Sequence, residues 1–148
     1  MELKTNLVSG AVISVQNNKV MMLMLKRFYD NYWCNVAGKI EPGEKATSAF
    51  LRELSEETQL IATELYNADY LQQFYYPKTD QIFVATGFVA FCDGTQDIRL
   101  NHEHTDYRWC TLEDALALAP FPNQHKFYKH VWRNFIDTQP SPLLKINS

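Results

Sequence analysis

Arg52, Glu53, Glu56 and Glu57 lie within six residues of one another in the stretch Gly38–Leu60, GKIEPGEKATSAFLRELSEETQL. Residues three and four apart share one face of a helix, so the three glutamates of a helix here would project together. Like charges at this spacing repel, which costs an isolated helix roughly 0.2–0.5 kcal/mol per pair. A hard divalent cation bound by oxygen ligands would supply the missing positive charge. The pattern therefore indicates a metal-binding helix.

The spacing of the charged residues in this stretch is more specific than their number. Gly38 is followed after five residues by Glu44, and after seven more by the run Arg52–Leu60. This arrangement closely resembles the Nudix box, GX5EX7REUXEEXGU, in which U is a bulky aliphatic residue. Eight of the nine specified positions agree: Gly38, Glu44, Arg52, Glu53, Leu54, Glu56, Glu57 and Leu60. A solvent-facing acidic helix is the weaker interpretation, because charge runs on helices are common but do not keep such spacing.

Gln59 is the one departure from the pattern, because the family has glycine at this position. Glycine would close the helix in a left-handed conformation, which costs Gln about 1 kcal/mol. The departure bears on how the helix ends and not on the metal ligands, since Gln59 carries none of the carboxylates. It is not taken as a sign of lost activity.

The resemblance implies hydrolysis of a nucleoside diphosphate linked to another group, with Mg²⁺ or Mn²⁺ as cofactor. The metal ligands that it implies are the backbone carbonyl of Gly38 and the carboxylates of Glu53, Glu56 and Glu57. Glu53 and Glu57 are also implied as catalytic residues, with Glu53 either binding a further metal or orienting the attacking water. Glu44 and Arg52 would pair and brace the loop against the helix. Carboxylates suit Mg²⁺, which clamps phosphate oxygens and acidifies a bound water.

Family members often take one more acid from a loop across the cleft, and Glu103 is the candidate for this catalytic role. It lies in the run Asn101–Thr105, before a short aromatic strand, and a similar Glu-His pair occurs in MutT-like pyrophosphohydrolases. A solvated loop glutamate is the alternative, since loops carry both site residues and idle charge. His102 and His104 are interpreted as surface or hydrogen-bonding residues, because a hard metal seeks oxygen ligands.

Two cations are candidates for binding the substrate phosphates. Arg27 ends a predicted strand that leads toward the cleft, and Lys39 lies at the start of the motif. A guanidinium there would hold phosphate oxygens in a bidentate way, so Arg27 is favoured over Lys26. Strand aromatics could also stack on a base, although burial in the core is the more common fate of such rings. The aromatics in question are Trp33, Tyr75 and Tyr107.

The elements that must position these residues follow from hydrophobic periodicity and turn signals. The predicted strands are residues 7–15, 20–25, 32–36, 70–76, 81–91 and 104–110. The predicted helices are residues 45–58, 111–119 and 123–137. In the first helix, Leu51 and Leu54 are expected to face the core and the glutamates an adjacent cleft. Strands interspersed with three helices predict an α/β fold, with a mixed β-sheet between helices as in the Nudix-type α/β/α sandwich.

Composition indicates one globular domain without a strongly charged surface. The chain has 148 residues, of which 46% are hydrophobic, and a net charge of −3. Residues 1–140 are expected to form the single domain, and residues 141–148 a loose C-terminal tail. Since Lys and Arg form no long run, the expected partner is a small nucleotide and not a nucleic acid polymer. A homodimer through the aromatic C-terminal helix is left open.

The remaining features of the chain favour the cytoplasm. No signal peptide is evident at the N-terminus, and no apolar run approaches about 18 residues, so no membrane partner is expected. The three cysteines, Cys34, Cys92 and Cys110, show no CxxC or Cys/His metal spacing. Their odd number and scatter suit reduced thiols better than a disulfide framework.

These observations lead to a ranked set of functions. The first is hydrolysis of a nucleoside or deoxynucleoside triphosphate to the monophosphate and pyrophosphate. The enzymatic alternative is a hydrolase of ADP-ribose, dinucleoside polyphosphates or nucleotide sugars, because substrate choice lies in loops outside the motif. A nucleotide-binding sensor without turnover is a third reading; a sensor can dispense with Glu53, Glu56 or Glu57, and this chain retains all three.

Overall fold

The structure is a computed structural model that describes residues 1–147, in which four strands are followed by a helix, three further strands and two more helices. The strands are β1 (Glu2–Gln16), β2 (Lys19–Arg27), β3 (Trp33–Cys34), β4 (Val36–Lys39), β5 (Ala62–Tyr76), β6 (Gln81–Cys92) and β7 (His104–Cys110). The helices are α1 (Ala46–Thr58), α2 (Leu112–Leu118) and α3 (Pro122–Val131), and a π-helical segment, Trp132–Ile136, continues α3. Each predicted strand and helix is present with shifted ends, except that the predicted strand 32–36 is divided at Asn35 into β3 and β4.

Strand β1 is the centre of a mixed sheet. It pairs antiparallel with β2 and β4 and parallel with β6. Because side chains alternate along a strand, Val8 and Val12 pack on the α1 side, while Ala11 and Ile13 pack with α3 on the other side. Two apolar cores therefore lie on the two faces of one sheet, which confirms the predicted α/β/α sandwich.

Helix α1 buries one flank, and that flank includes two of the acids. Phe50 and Leu54 are fully buried, but Glu53 and Glu57 are buried beside them, at 8% and 1% exposure. Leu51, which was expected to face the core, is 38% exposed. The expectation was wrong because the buried flank follows Phe50, Glu53, Leu54 and Glu57 at three- and four-residue spacing, and Leu51 is rotated by about 100° from Phe50 around the helix.

Strands β1 and β5 are longer than the hydrophobic pattern predicts. Strand β5 begins at Ala62, eight residues before the predicted start at Tyr70. Its pairing with β6 shifts between Asn67 and Leu71, and Asp69 has a positive φ of 53° there. An inserted bulge of this kind breaks the two-residue alternation on which the prediction rests.

The C-terminal segment that was expected to be loose is attached to β5 over part of its length. The backbone N–H of Ile146 donates to the carbonyl of Leu65 at 2.8 Å, and Lys145 Nζ lies 3.2 Å from a carboxylate oxygen of Glu64. A short 3₁₀ turn, Pro142–Leu144, precedes these contacts. Ser148, the last residue of the predicted tail, lies outside the described residues.

One prediction concerns membranes. Within residues 1–147, no helix combines the length and the apolarity that crossing a bilayer would require.

Candidate metal and catalytic site

The loop before α1 and the helix itself meet at Gly38. Strand β4 pairs with β1, so that Gly38 lies opposite Val8 and turns its α-carbon toward α1. A Cβ at this position would overlap the carboxyl group of Glu53, so any side chain here would displace it. Glycine is therefore required by close approach, and it brings the Gly38 backbone next to the first of the three acids.

Arg52 is the cation among the acids. Its Nε and Nη2 atoms donate to the two carboxylate oxygens of Glu44, both at 2.9 Å, and Nη2 also donates to the carbonyl of Lys39 at 2.8 Å. This is the ion pair expected from the sequence, and it ties the loop to the helix. Arg52 Nη1 reaches further, to Glu53 at 2.9 Å and Glu56 at 3.4 Å. The positive charge of the guanidinium thereby offsets the repulsion between the carboxylates that lie three and four residues apart on the helix.

Glu57 is the most deeply buried acid of the site. Its carboxyl contacts the side chain of Glu53 and the backbone of Ala37, and Oε1 lies 3.7 Å from Nε2 of His104. The other oxygen, Oε2, is buried and has no hydrogen-bond partner. Burial, followed by the hydrogen bond with Glu53 and by the charges of Glu53 and Glu103, raises the pKa of Glu57 to about 10.

Glu103 and Arg27 lie together at the mouth of the site. The carbonyl of Glu103 accepts from the backbone N–H of Phe28 at 2.9 Å, and Arg27 stands opposite His104 in the ladder between β2 and β7. Both side chains are exposed, and Arg27 Nε lies 3.3 Å from Asp30. The structure thus brings the loop acid and the strand-end cation to the side of Glu57, as the sequence places them; their roles stay predictions.

The other predicted residues divide between surface and interior. The side chain of Lys39 is exposed, and so is Glu56, whose side chain is 51% exposed. His104 is buried at 9% exposure, so the surface alternative for this residue is wrong. Burial, opposed by the charge of Glu103, lowers the pKa of His104, which favours the neutral imidazole.

Asn35 is a positioning residue that the sequence analysis missed. Its amide nitrogen donates to Ser9 Oγ at 2.8 Å and to the carbonyls of Gly10 and Val36, both at 3.1 Å. Its amide oxygen accepts from the hydroxyl of Tyr128 at 2.9 Å. This buried network fixes the junction between β3 and β4, which leads to Gly38. The signal was a lone amide in the run YWCNVAG, whose other residues are apolar or small.

A hard cation suits the donors of this site. The ligands expected from the sequence are all oxygen atoms, which Mg²⁺ and Mn²⁺ prefer. The buried oxygen of Glu57 without a partner is an acceptor that a cation would satisfy. In the part of the chain that the structure describes, no three His, Cys, Asp or Glu side chains form a ready-made ligand group. Arg52 instead holds the oxygens of Glu53 and Glu56, so binding would require these two carboxylates to turn from it.

The sandwich and its acidic helix define a class, the hydrolases of pyrophosphate bonds. The sequence matches the NUDIX domain over residues 5–131. The chain therefore belongs to the Nudix hydrolase family, as the motif predicts, and enzymes of this family generally use divalent metal ions.

Relatives of this chain act on different substrates. It is 29% identical over 105 residues to the asymmetrical bis(5'-nucleosyl)-tetraphosphatase of Caenorhabditis elegans, covering 70% of this chain and 76% of that protein. It is 27% identical over 140 residues to the RNA pyrophosphohydrolase of Wolbachia pipientis, covering 83% and 85%. A crystal structure of a C. elegans Ap4A hydrolase binary complex superposes with a TM-score of 0.76, at 23% identity over 87% of this chain and 96% of that chain. The structural similarity confirms the fold.

Proposed function

We propose that this chain hydrolyses a phosphoanhydride bond in a nucleoside diphosphate linked to a further group, with Mg²⁺ or Mn²⁺. The observation that carries the proposal is the buried Glu57 oxygen without a partner, beside Glu53 and close to Gly38. Burying a carboxyl group without satisfying it costs free energy. A cation bound to this oxygen would offset the free-energy cost of burying it.

The residues that would hold the cation are the carbonyl of Gly38 and the carboxylates of Glu53, Glu56 and Glu57. A bound cation neutralises phosphate oxygens and lowers the pKa of a water. Glu53 is held next to the Gly38 backbone, where its carboxylate can orient the attacking water. Arg52 and Glu44 keep loop and helix in register, because their two parallel hydrogen bonds fix both partners.

Arg27, Lys39 and Glu103 complete the proposed site. The exposed guanidinium of Arg27 and the ammonium of Lys39 are available to bind phosphate oxygens of the substrate. Glu103 lies close enough to Glu57 to raise its pKa, and we assign it the role of the additional catalytic acid from the loop. In this role it would act on the water or on the leaving group.

Two substrate classes compete within this proposal. The likeness to the C. elegans tetraphosphatase supports a dinucleoside tetraphosphate as the first. The resemblance of the run VAGKIEPGE to triphosphate pyrophosphohydrolases supports a nucleoside or deoxynucleoside triphosphate, cut to the monophosphate and pyrophosphate, as the second. ADP-ribose and nucleotide sugars remain alternatives.

We further propose that the chain acts on free nucleotides and not on a nucleic acid polymer. We also propose that it acts in the cytoplasm, and its three free cysteines support this location. Pairing of two copies stays a prediction.

A substrate screen tests the proposal. The purified chain is incubated with dinucleoside tetraphosphates, nucleoside triphosphates, ADP-ribose, nucleotide sugars and a triphosphorylated RNA, each with Mg²⁺ or Mn²⁺, and the products are identified by mass. Glu103→Gln should lower the rate on the preferred substrate about tenfold, whereas Glu113→Gln, an exposed acid of α2, should not. Turnover of no substrate, with nucleotide binding intact, would establish the sensor instead.

A further inference from the structure

An open cavity of about 440 Å³ lies on the α1 side of the sheet, and its end at Gln16 is far from Gly38 along β1. Gln16 lines it, whereas Gly38 pairs with Val8 eight residues earlier on the same strand, a separation of about 26 Å at 3.3 Å per residue. Trp109, which also lines the cavity, packs on the same core as α1. None of the residues lining this cavity belongs to the metal and catalytic site.

The cavity is nevertheless joined to that site by two segments. The loop from Gly94 to Arg99 forms one wall, and the same loop continues to Glu103. Tyr107 forms another wall and lies three residues along β7 from His104, the neighbour of Glu57. Three residues of strand span about 10 Å. A ligand longer than one nucleotide could therefore enter both sites.

The lining residues have the chemistry of a nucleotide site. Tyr107 and Trp109 are two residues apart on one face of β7, and Tyr107 is 40% exposed. Aromatic rings of this kind stack on nucleic acid bases. Arg99 is exposed, and within residues 1–147 no carboxylate lies within 4.0 Å of its guanidinium. Asp97, in the same wall, offers an acceptor for an exocyclic amine.

We propose that this cavity binds the second nucleoside monophosphate unit of a dinucleoside polyphosphate whose phosphate chain lies at the catalytic site. Tyr107 and Trp109 stack on the base, and Arg99 binds a phosphate oxygen. The volume lies in the range of small-molecule sites, roughly 300–1,000 Å³. This inference rests on the proposed function. It also favours a dinucleoside polyphosphate over a nucleoside triphosphate as the substrate, because a nucleoside triphosphate has a single base and cannot occupy both sites.

Direct binding tests the cavity without turnover. The chain has three tryptophans, so the indole N–H signal of Trp109 in a ¹⁵N spectrum can be assigned with Trp109→Phe. AMP, titrated in the presence of EDTA, should shift this signal, and Tyr107→Ala should weaken its Kd by about fivefold or more. The matched control is Tyr76→Ala, which removes a ring of similar exposure, 38%, at the far hairpin. An unmoved Trp109 signal, or an equal Kd in Tyr107→Ala, overturns the proposal.

Kinetics then separate this inference from the proposed function. Tyr107→Ala should raise KM for a dinucleoside tetraphosphate by about fivefold or more and leave KM for ATP unchanged; Arg99→Gln should do the same and guards against misfolding of the first variant. Equal changes for both substrates, or none, overturn the second-nucleotide site. If the wild type hydrolyses the substrate but the Trp109 signal does not move, the proposed function stands and nucleotide binding in the cavity is contradicted. If the Trp109 signal shifts but no dinucleotide is hydrolysed, the cavity binds a nucleotide and the proposed hydrolysis is contradicted.

Discussion

Two neighbouring buried polar groups differ in whether their polar atoms have hydrogen-bond partners. Asn35, at the junction of β3 and β4, has both ends of its amide satisfied by Ser9, two carbonyls and Tyr128. Glu57, which contacts the backbone two residues later at Ala37, keeps a buried oxygen without a partner. Both groups are removed from water, but only the amide of Asn35 regains all its hydrogen bonds within the folded chain.

The difference separates positioning from chemistry. A fully satisfied network rigidifies its surroundings and selects one arrangement of the chain. An unsatisfied buried acid lowers stability, and groups of this kind concentrate at functional sites. The network of Asn35 thus holds the β3–β4 junction in place, and the carboxyl of Glu57 stays available. Substitutions should therefore separate the two regions into one that changes stability and one that changes activity.

The largest expected effect is at Glu57. Glu57→Gln keeps the shape and adds no buried charge, so the unfolding free energy should change little, whereas kcat should fall by at least about 100-fold. Mg²⁺ or Mn²⁺ should raise the Tm of the wild type and fail to raise that of the variant. Glu113→Gln serves as the control for loss of a carboxylate. Near-normal turnover in Glu57→Gln would contradict the proposal that Glu57 contributes to activity and the Asn35 network to stability.

The next effect is on stability, at Tyr128. Tyr128→Phe removes the hydroxyl that donates to Asn35 and leaves the amide oxygen buried without a partner. The free energy of unfolding, measured in urea, should therefore fall by about 1–3 kcal/mol. The matched control is Tyr75→Phe, which removes an exposed hydrogen bond to Asp80 and should cost almost nothing. The folded variant should keep kcat within about threefold, because Tyr128 touches none of the acids. An unchanged stability would show that this network does not hold the junction.

A smaller effect, dependent on pH, is expected at Glu44. Its hydrogen bonds with Arg52 lower the pKa of Glu44 from its ordinary 4.5 to about 2. Because the folded pKa is the lower one, the stabilisation is present above pH 4.5 and is lost as the pH falls toward 2. Glu44→Gln should therefore lose less stability than the wild type across this interval in thermal melts. Parallel curves for the two proteins would contradict the assignment.

The smallest effect concerns the end of α1. Gln59 adopts the left-handed conformation, with φ 62° and ψ 16°, that the sequence analysis assigns to the missing glycine. Gln59→Gly should therefore stabilise the fold by about 0.5 kcal/mol, the relief of strain being partly offset by a more flexible unfolded chain. Gln59→Ala retains the Cβ and should not gain. Both variants should leave kcat unchanged, which gives a baseline for the comparison of Glu57 with Tyr128.

Local patterns were sufficient to predict the fold class and the helix that carries the acidic residues, whereas the roles assigned to those residues stay predictions. The spacing from Gly38 to Leu60 predicts one loop and one helix, and both are present; the hydrogen bonds between Glu44 and Arg52 that join them link residues only eight apart in the chain. The burial of Glu57 and His104 could not be predicted, since it depends on β7 being folded beside β2. The Asn35 network was missed for the same reason: its partner Tyr128 is 93 residues away. The early start of β5 was hidden by a bulge, which single-sequence alternation does not register.

The parallel pairing of β1 with β6 has a consequence for how the protein is made. Ser9 pairs with Gly87, which is synthesised 78 residues later, so the central strand emerges from the ribosome long before its neighbour. Pairings this distant in sequence form late, because closing the long intervening loop costs conformational entropy before any contact is gained. Until β6 arrives, the apolar faces of β1 and α1 are exposed together, which makes this the interval in which the nascent chain is most prone to aggregation.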